Sequence, residues 1–225
     1  MKAIRFFLLV SFFSMFSQGY LLAQKSGKDF KGIIKYNITY PDSKFDDATM
    51  AMLPQSMTLK IMGSKKKMEI FAGMANQVEI TDAELMTRIA LIDVMGQKFA
   101  ISYNKQMVEE ELNKDQEPTV NYLDDTKTIA GYICKKAEVT SYADGIEETI
   151  MVYYTDELGI EDISFEGEFR NLKGFPLEYT IKNDKIMMTF TASEIKEGAV
   201  KKKDFEVPDG YKYVTEEELK SMFGG

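Results

Sequence analysis

From Phe30 to Ile195 the chain is a succession of short runs in which apolar and polar residues alternate, separated by turn dipeptides. That pattern belongs to antiparallel strands rather than to strands joined by crossover helices. The first run, Phe30 to Tyr40, places Phe30, Ile34, Tyr36, Ile38 and Tyr40 on one face. Met57 to Met62 and Lys67 to Ala72 flank Gly63-Ser64, Gln77 to Thr81 follows, and Leu85 to Asp93 and Gln97 to Tyr103 flank Met95-Gly96. In the second half, Tyr132 to Tyr142 and Glu147 to Thr155 meet across Asp144-Gly145, a strong hairpin dipeptide. Phe175 to Lys182 and Lys185 to Ile195 meet across Asn183-Asp184. The expected fold class is mainly β, an antiparallel sheet with a few short helices.

The helices are signalled by punctuation. Ala48 to Leu53 follows the acidic pair Asp46-Asp47 and stops before Pro54, which disfavours helical geometry in the residue ahead of it. Thr215-Glu216-Glu217-Glu218 is a capping box, predicting a helix to Phe223 that Gly224 stops. Asn104 to Pro118 has helical composition at its start but no wide apolar stripe, so it reads as an exposed excursion.

The N-terminus reads as a cleavable secretory leader. Lys2 and Arg5 precede the apolar run Phe6 to Phe16, and Leu21-Leu22-Ala23 supplies a small residue at the expected cut. Ser11, Ser14, Ser17, Gln18 and Gly19 interrupt the stretch and no basic stop-transfer segment follows, so it is expected to be removed rather than kept as an anchor. Cleavage after Ala23 leaves residues 24–225 as a single β domain with its C-terminal helix. A bacterial lipoprotein signal needs cysteine after the cut, and Gln24 stands there. The expectation is therefore a soluble periplasmic protein without a lipid anchor that does not span the membrane.

Charge and rare residues exclude several functions. Loss of Lys2 and Arg5 with the leader takes the net charge from −8 to −10, which opposes long-range attraction to nucleic acid or anionic lipid. With no His and a single cysteine, Cys134, the chain has no Ser-His-Asp triad, Cys-His nucleophile, His-ligated zinc or internal disulfide. The pairs Asp124-Asp125 and Glu147-Glu148 fall on strands, where adjacent side chains point to opposite faces and serve poorly as joint acid and base. The expectation is a non-enzyme with neither cofactor nor metal.

Several runs carry apolar residues on both faces, and a sheet of that kind must cover both or curl around a cavity. Against Met57, Leu59 and Ile61 stands Met62; against Ile89 and Leu91 stand Met86, Ala90 and Ile92. Against Ile150, Val152 and Tyr154 stand Met151 and Tyr153; against Ile186, Met188 and Phe190 stands Met187. Methionine adapts to ligands of variable shape. Met62, Phe71, Met86, Ala90, Ile92, Met151, Tyr153 and Met187 are therefore the candidate lining of an apolar concavity for a lipid or other hydrophobic small molecule. The plainer alternative is a fully packed core beneath helices, in a cell-envelope protein that docks a protein partner through a sheet edge or through the lysine runs at Lys65 and Lys201.

The segments DDTKTIAGYICKKA from Asp124, GFPLEY from Gly174 and FEVPDGY from Phe205, in that order, resemble the exported Bacteroidota proteins grouped as domain of unknown function 4412. Those proteins are similar in turn to the periplasmic lipoprotein carriers of the LolA-like half-barrel fold. The resemblance implies a curved antiparallel sheet around an apolar concavity closed by helices, and carrier-like binding. Within these segments Cys134 is expected to be a small buried hydrophobe. Gly131 and Gly174 mark places where a Cβ does not fit, and Phe205 and Tyr211 tuck the turn Pro208-Asp209-Gly210 onto the sheet.

Overall fold

A computed structural model describes residues 30–41, 44–73, 75–113, 116–143, 146–160, 167–182 and 186–223. The leader, Gln24, both turn dipeptides of the second half and Gly224 lie outside the described residues.

Six strands form the first half: β1 (Lys31–Thr39), β2 (Ser56–Met62), β3 (Lys65–Ala72), β4 (Ala75–Asp82), β5 (Thr87–Val94) and β6 (Gln97–Tyr103). The second half adds β7 (Thr119–Ile129), β8 (Tyr132–Ala143), β9 (Ile146–Thr155), β10 (Phe175–Lys182), β11 (Met187–Glu197) and the two-residue β12 (Lys212–Tyr213). All pair in one sheet of order β12-β6-β5-β4-β3-β2-β1-β11-β10-β9-β8-β7. Every pairing is antiparallel except that of β12 with β6. The sheet is curved but unclosed, a half-barrel whose free edges are β12 and β7. Two meanders are thus joined through the first strand, because β1 takes β2 on one side and β11 on the other.

Alternation places β1 as expected, with Ile34, Tyr36 and Ile38 buried and their neighbours outward. β7 is a strand that alternation does not announce. It is a mostly exposed edge, where Val120 and Tyr122 share one face but the Asp124-Asp125 bulge breaks the alternation after them. Its pairing with β8 slips between Leu123 and Thr126 so that Asp124 and Asp125 bulge from the ladder. A charged bulge on an edge strand discourages pairing with another chain.

Helix α1 (Asp47–Met52) begins where the Asp46 carboxylate accepts from the Thr49 amide at 2.7 Å. Helix α2 (Lys105–Leu112) replaces the expected excursion. Asn104 caps it, and Val108 alone is buried, against Phe99, Ile101, Tyr103 and Val214. Helix α3 (Glu216–Phe223) has the predicted capping box, with Thr215 N to Glu218 Oε2 at 2.9 Å and Glu218 N to Thr215 Oγ1 at 3.1 Å.

One face of β4 to β6 presents Val78, Ile80, Leu91 and Ala100, covered by Val200 and by Phe205 of a 3-10 turn (Lys202–Phe205). Burying a phenylalanine there contributes about 1.5–3 kcal/mol. Tyr211 joins this cluster, so both flanks of the Pro208 turn pack as expected. The main core lies on the other face, around Ile34, Tyr36, Met57, Leu59, Leu177 and Phe190.

Candidate functional site

Directly paired residues on neighbouring strands share a face, so the register arranges the inner side of β1 to β6 in rows. The row Tyr36, Met57, Ile70, Gln77, Ile92, Phe99 lies beside Ile34, Leu59, Met68, Glu79, Ala90, Ile101. Beyond these runs Gly32, Ile61, Lys66, Thr81, Arg88, Tyr103. The first two rows are apolar across β1 to β3, and the third turns polar at β3.

Over these rows lies a cavity of about 420 Å³, lined by Tyr36, Met57, Leu59, Met68 and Ile70 from β1 to β3 and by Tyr179, Ile181 and Phe190 from β10 and β11. Lys66, Glu79 and Arg88 line its polar end, and Gly167, Glu168 and Phe169 border it. An aromatic wall fixes the β10 side. Tyr179 stacks on Phe190 with centroids 4.8 Å apart and rings 9° from parallel, while Phe169 meets Tyr179 edge-on at 5.0 Å. Burial raises the Tyr179 phenol well above its ordinary pKa, and the nearby Glu168 carboxylate adds to the rise. Burial likewise keeps the Tyr36 phenol protonated.

Arg88 is held rigidly. Its Nη2 lies 2.6 Å from Glu111 Oε2, and its guanidinium carbon sits 4.0 Å from the centre of the Tyr103 ring. The Tyr103 hydroxyl donates to Glu216, and burial followed by that carboxylate pushes its pKa up to about 12. Among the described residues, Lys66 and Glu79 have no ion-pair partner, and the buried Thr81 Oγ1 has no hydrogen-bond partner.

The eight residues expected to line a concavity are dispersed, and none of them borders this cavity. Ala90 and Ile92 stand on its face, one and two rows from Arg88. Met62 lies on the opposite face, half-buried against the Val78 and Phe205 cluster. Phe71 is also on that face, at the end of β3, and is 63% exposed. Met86 sits in the β4–β5 turn with φ of 52°. Met151 and Tyr153 are on the face of β9 opposite Val152, Met151 exposed and Tyr153 donating its hydroxyl to Asp125 at 2.9 Å. Met187 pairs with Lys182 at the start of β11. Sequence reasoning missed Lys66 and Arg88; parity puts Lys66 with Met68 and Ile70, and Arg88 with Ala90 and Ile92, but only the strand register brings the two sets to one face.

A second depression of about 580 Å³ lies at the β7 bulge, lined by Tyr122, Asp124, Asp125, Lys135 and Tyr154. Its charges are largely paired within the protein. Lys136 reaches Asp125 at 3.2 Å, and Lys135 reaches Asp156 at 2.7 Å.

Cys134 is fully buried as a free thiol, and desolvation pushes its pKa to about 11. A thiol that stays protonated is neither nucleophile nor metal ligand at neutral pH. Among the described residues, no three Cys, Asp or Glu side chains are placed to hold a metal ion, and no helix is long and apolar enough to cross a membrane.

The fold and the site together define a half-barrel with an apolar inner groove that is polar at one end. No family model and no curated protein matches the chain. Among solved structures it is similar to LprF from Mycobacterium bovis, at 11% identity and a TM-score of 0.33, covering 83% of this chain and 92% of that one. It is also similar to a beta-barrel-like protein of a domain of unknown function from Brucella abortus, at 8% identity and a TM-score of 0.28, covering 77% of this chain and 100% of that one.

Proposed function

We propose that this is an exported, non-enzymatic binding or carrier-like protein that holds a hydrophobic ligand in the inner groove. The observation that carries this reading is the cavity itself. At about 420 Å³ it falls within the roughly 300–1,000 Å³ range of small-molecule sites, and it is walled by Met57, Leu59, Met68, Ile70, Ile181 and Phe190. A core built only for stability closes such a space, because each lining atom left without a neighbour forfeits dispersion energy. Ala90 and Ile92 extend the same apolar face toward β6 and belong to the proposed binding surface. The leader-like N-terminus and the resemblance of the IAGYICKKA segment to exported Bacteroidota proteins support a periplasmic location.

The test is fluorescence titration with N-phenylnaphthylamine, a neutral apolar probe. Wild-type protein is expected to bind it with micromolar affinity. Met68→Trp, which fills the groove from the middle of β3, is expected to weaken binding at least tenfold while the protein stays folded. If wild type gives no enhancement and native mass spectrometry finds no lipid adduct after incubation with a lipid extract, the reading is wrong.

A further inference from the structure

The polar end of the groove is lined by two cations and one carboxylate, Lys66, Arg88 and Glu79. Lys66 on β3, Thr81 on β4 and Arg88 on β5 are direct neighbours in register, so their strands are spaced about 4.8 Å apart. Thr81 is 2% exposed, and its hydroxyl has no partner among the described residues. A buried hydroxyl left unpaired costs about 1–3 kcal/mol, and this one lies between Lys66 and Arg88 in register, beneath the cavity surface rather than on it. Four residues along β3 from Lys66 stands Ile70, about 13 Å away at strand spacing, and the row it shares with Met57 and Tyr36 is apolar. On β3 polarity therefore changes along the groove, and the two apolar rows are interrupted at β4 by Gln77 and Glu79.

We infer that the ligand of the inner groove is a single-chain amphiphile with an anionic head. The head sits on Lys66 beside Arg88, over the buried Thr81, and the chain runs over Met68 toward Met57 and Ile70. This rests on the binding reading above. Lys66 supplies the charge that attracts the head, since it has no ion-pair partner among the described residues, whereas Arg88 already holds Glu111. Glu79 lies one row further in and also lines the cavity, as does Glu168 at its border. These carboxylates repel an anionic head from the apolar rows and so confine it to the Lys66 row, setting the direction in which the chain enters. The chemistry is shared by fatty carboxylates and alkyl phosphates.

The experiment displaces N-phenylnaphthylamine with palmitate, hexadecyl phosphate and hexadecyltrimethylammonium. Palmitate or hexadecyl phosphate is expected to compete roughly tenfold better than the cation, and which of the two is stronger identifies the head. Lys66→Met is expected to remove that preference, read as the ratio of anion to cation competition within the variant, a loss of roughly tenfold for the anions. Lys66→Arg is expected to keep the preference. Glu79→Gln is expected to tighten the anions several-fold relative to the cation. Equal competition by anion and cation in wild type, or a preference that survives Lys66→Met, overturns the inference while the binding reading stands. Failure of wild type to bind the neutral probe at all overturns the binding reading, and this inference with it.

Discussion

The phenol of Tyr36 donates a 2.6 Å hydrogen bond to the carbonyl of Pro176, 140 residues away, tying β1 to β10 across the intervening β11. The Pro176 carbonyl is available because the β9–β10 ladder slips between Pro176 and Glu178. Tyr36→Phe leaves that carbonyl without its buried donor and is expected to cost about 1–2 kcal/mol. Denaturant titration checks this through a lower midpoint at unchanged slope, and the apolar probe should still bind, since the ring remains in the wall.

Two glycines separate backbone strain from steric exclusion. At Gly174, φ is 142° and an added Cβ would lie 2.7 Å from both the Thr155 carbonyl oxygen and the Tyr154 ring. At Gly131, φ is 88° but an added Cβ meets nothing within 4 Å. Gly131→Ala is expected to cost about 1–2 kcal/mol, the strain of a left-handed residue. Gly174→Ala adds a collision with backbone and is expected to cost at least twice as much. Equal midpoints for the two variants in urea would contradict this.

Cys134 makes stability depend on alkaline pH. The unfolded thiol loses its proton near 9 and the folded one near 11. The stability conferred by the neutral thiol is therefore complete below about pH 9 and is lost as pH rises through about 11. Unfolding midpoints measured across that window should fall more steeply for wild type than for Cys134→Ala, whose tyrosines titrate alike. Iodoacetamide should label native protein far more slowly than denatured protein.

The C-terminal helix is fastened by the hydroxyl of Tyr103 on Glu216, in its first turn, and by Leu219 against the Phe99 and Ile101 cluster. Tyr103→Phe keeps the ring beneath Arg88 and removes the fastening. Amide exchange in α3 is expected to quicken by roughly tenfold, on the order of 1 kcal/mol, with little change in β1 or β11.

Strand spans, the hairpins and the Thr215 capping box were legible because each depends on residues close in sequence. β7 was not, since its alternation runs only from Thr119 to Tyr122 before the Asp124-Asp125 bulge breaks it. Nor was the sharing of faces between strands. Alternation shows that Ala90 and Leu91 point apart, but only the pairing of Glu79 with Ala90 and of Met68 with Leu59 places Ala90 on the groove side. Met62 and Ala90, grouped from sequence as one second face, belong to opposite faces for this reason. The expectation that a Cβ does not fit holds at Gly174 but not at Gly131, where an added Cβ meets nothing within 4 Å and glycine is favoured by its φ of 88° instead.

The junction of the two meanders has a kinetic consequence. β1 is made first, yet the Lys35 carbonyl takes its hydroxyl partner from Ser193, 158 residues later. The first meander can zip up locally, hairpin by hairpin, but its leading strand keeps one side unsatisfied until nearly the whole chain is available. Closing so long a loop is entropically slow. Assembly of the groove is thus deferred to the end of synthesis, and until then β1 is the segment most in need of protection from aggregation.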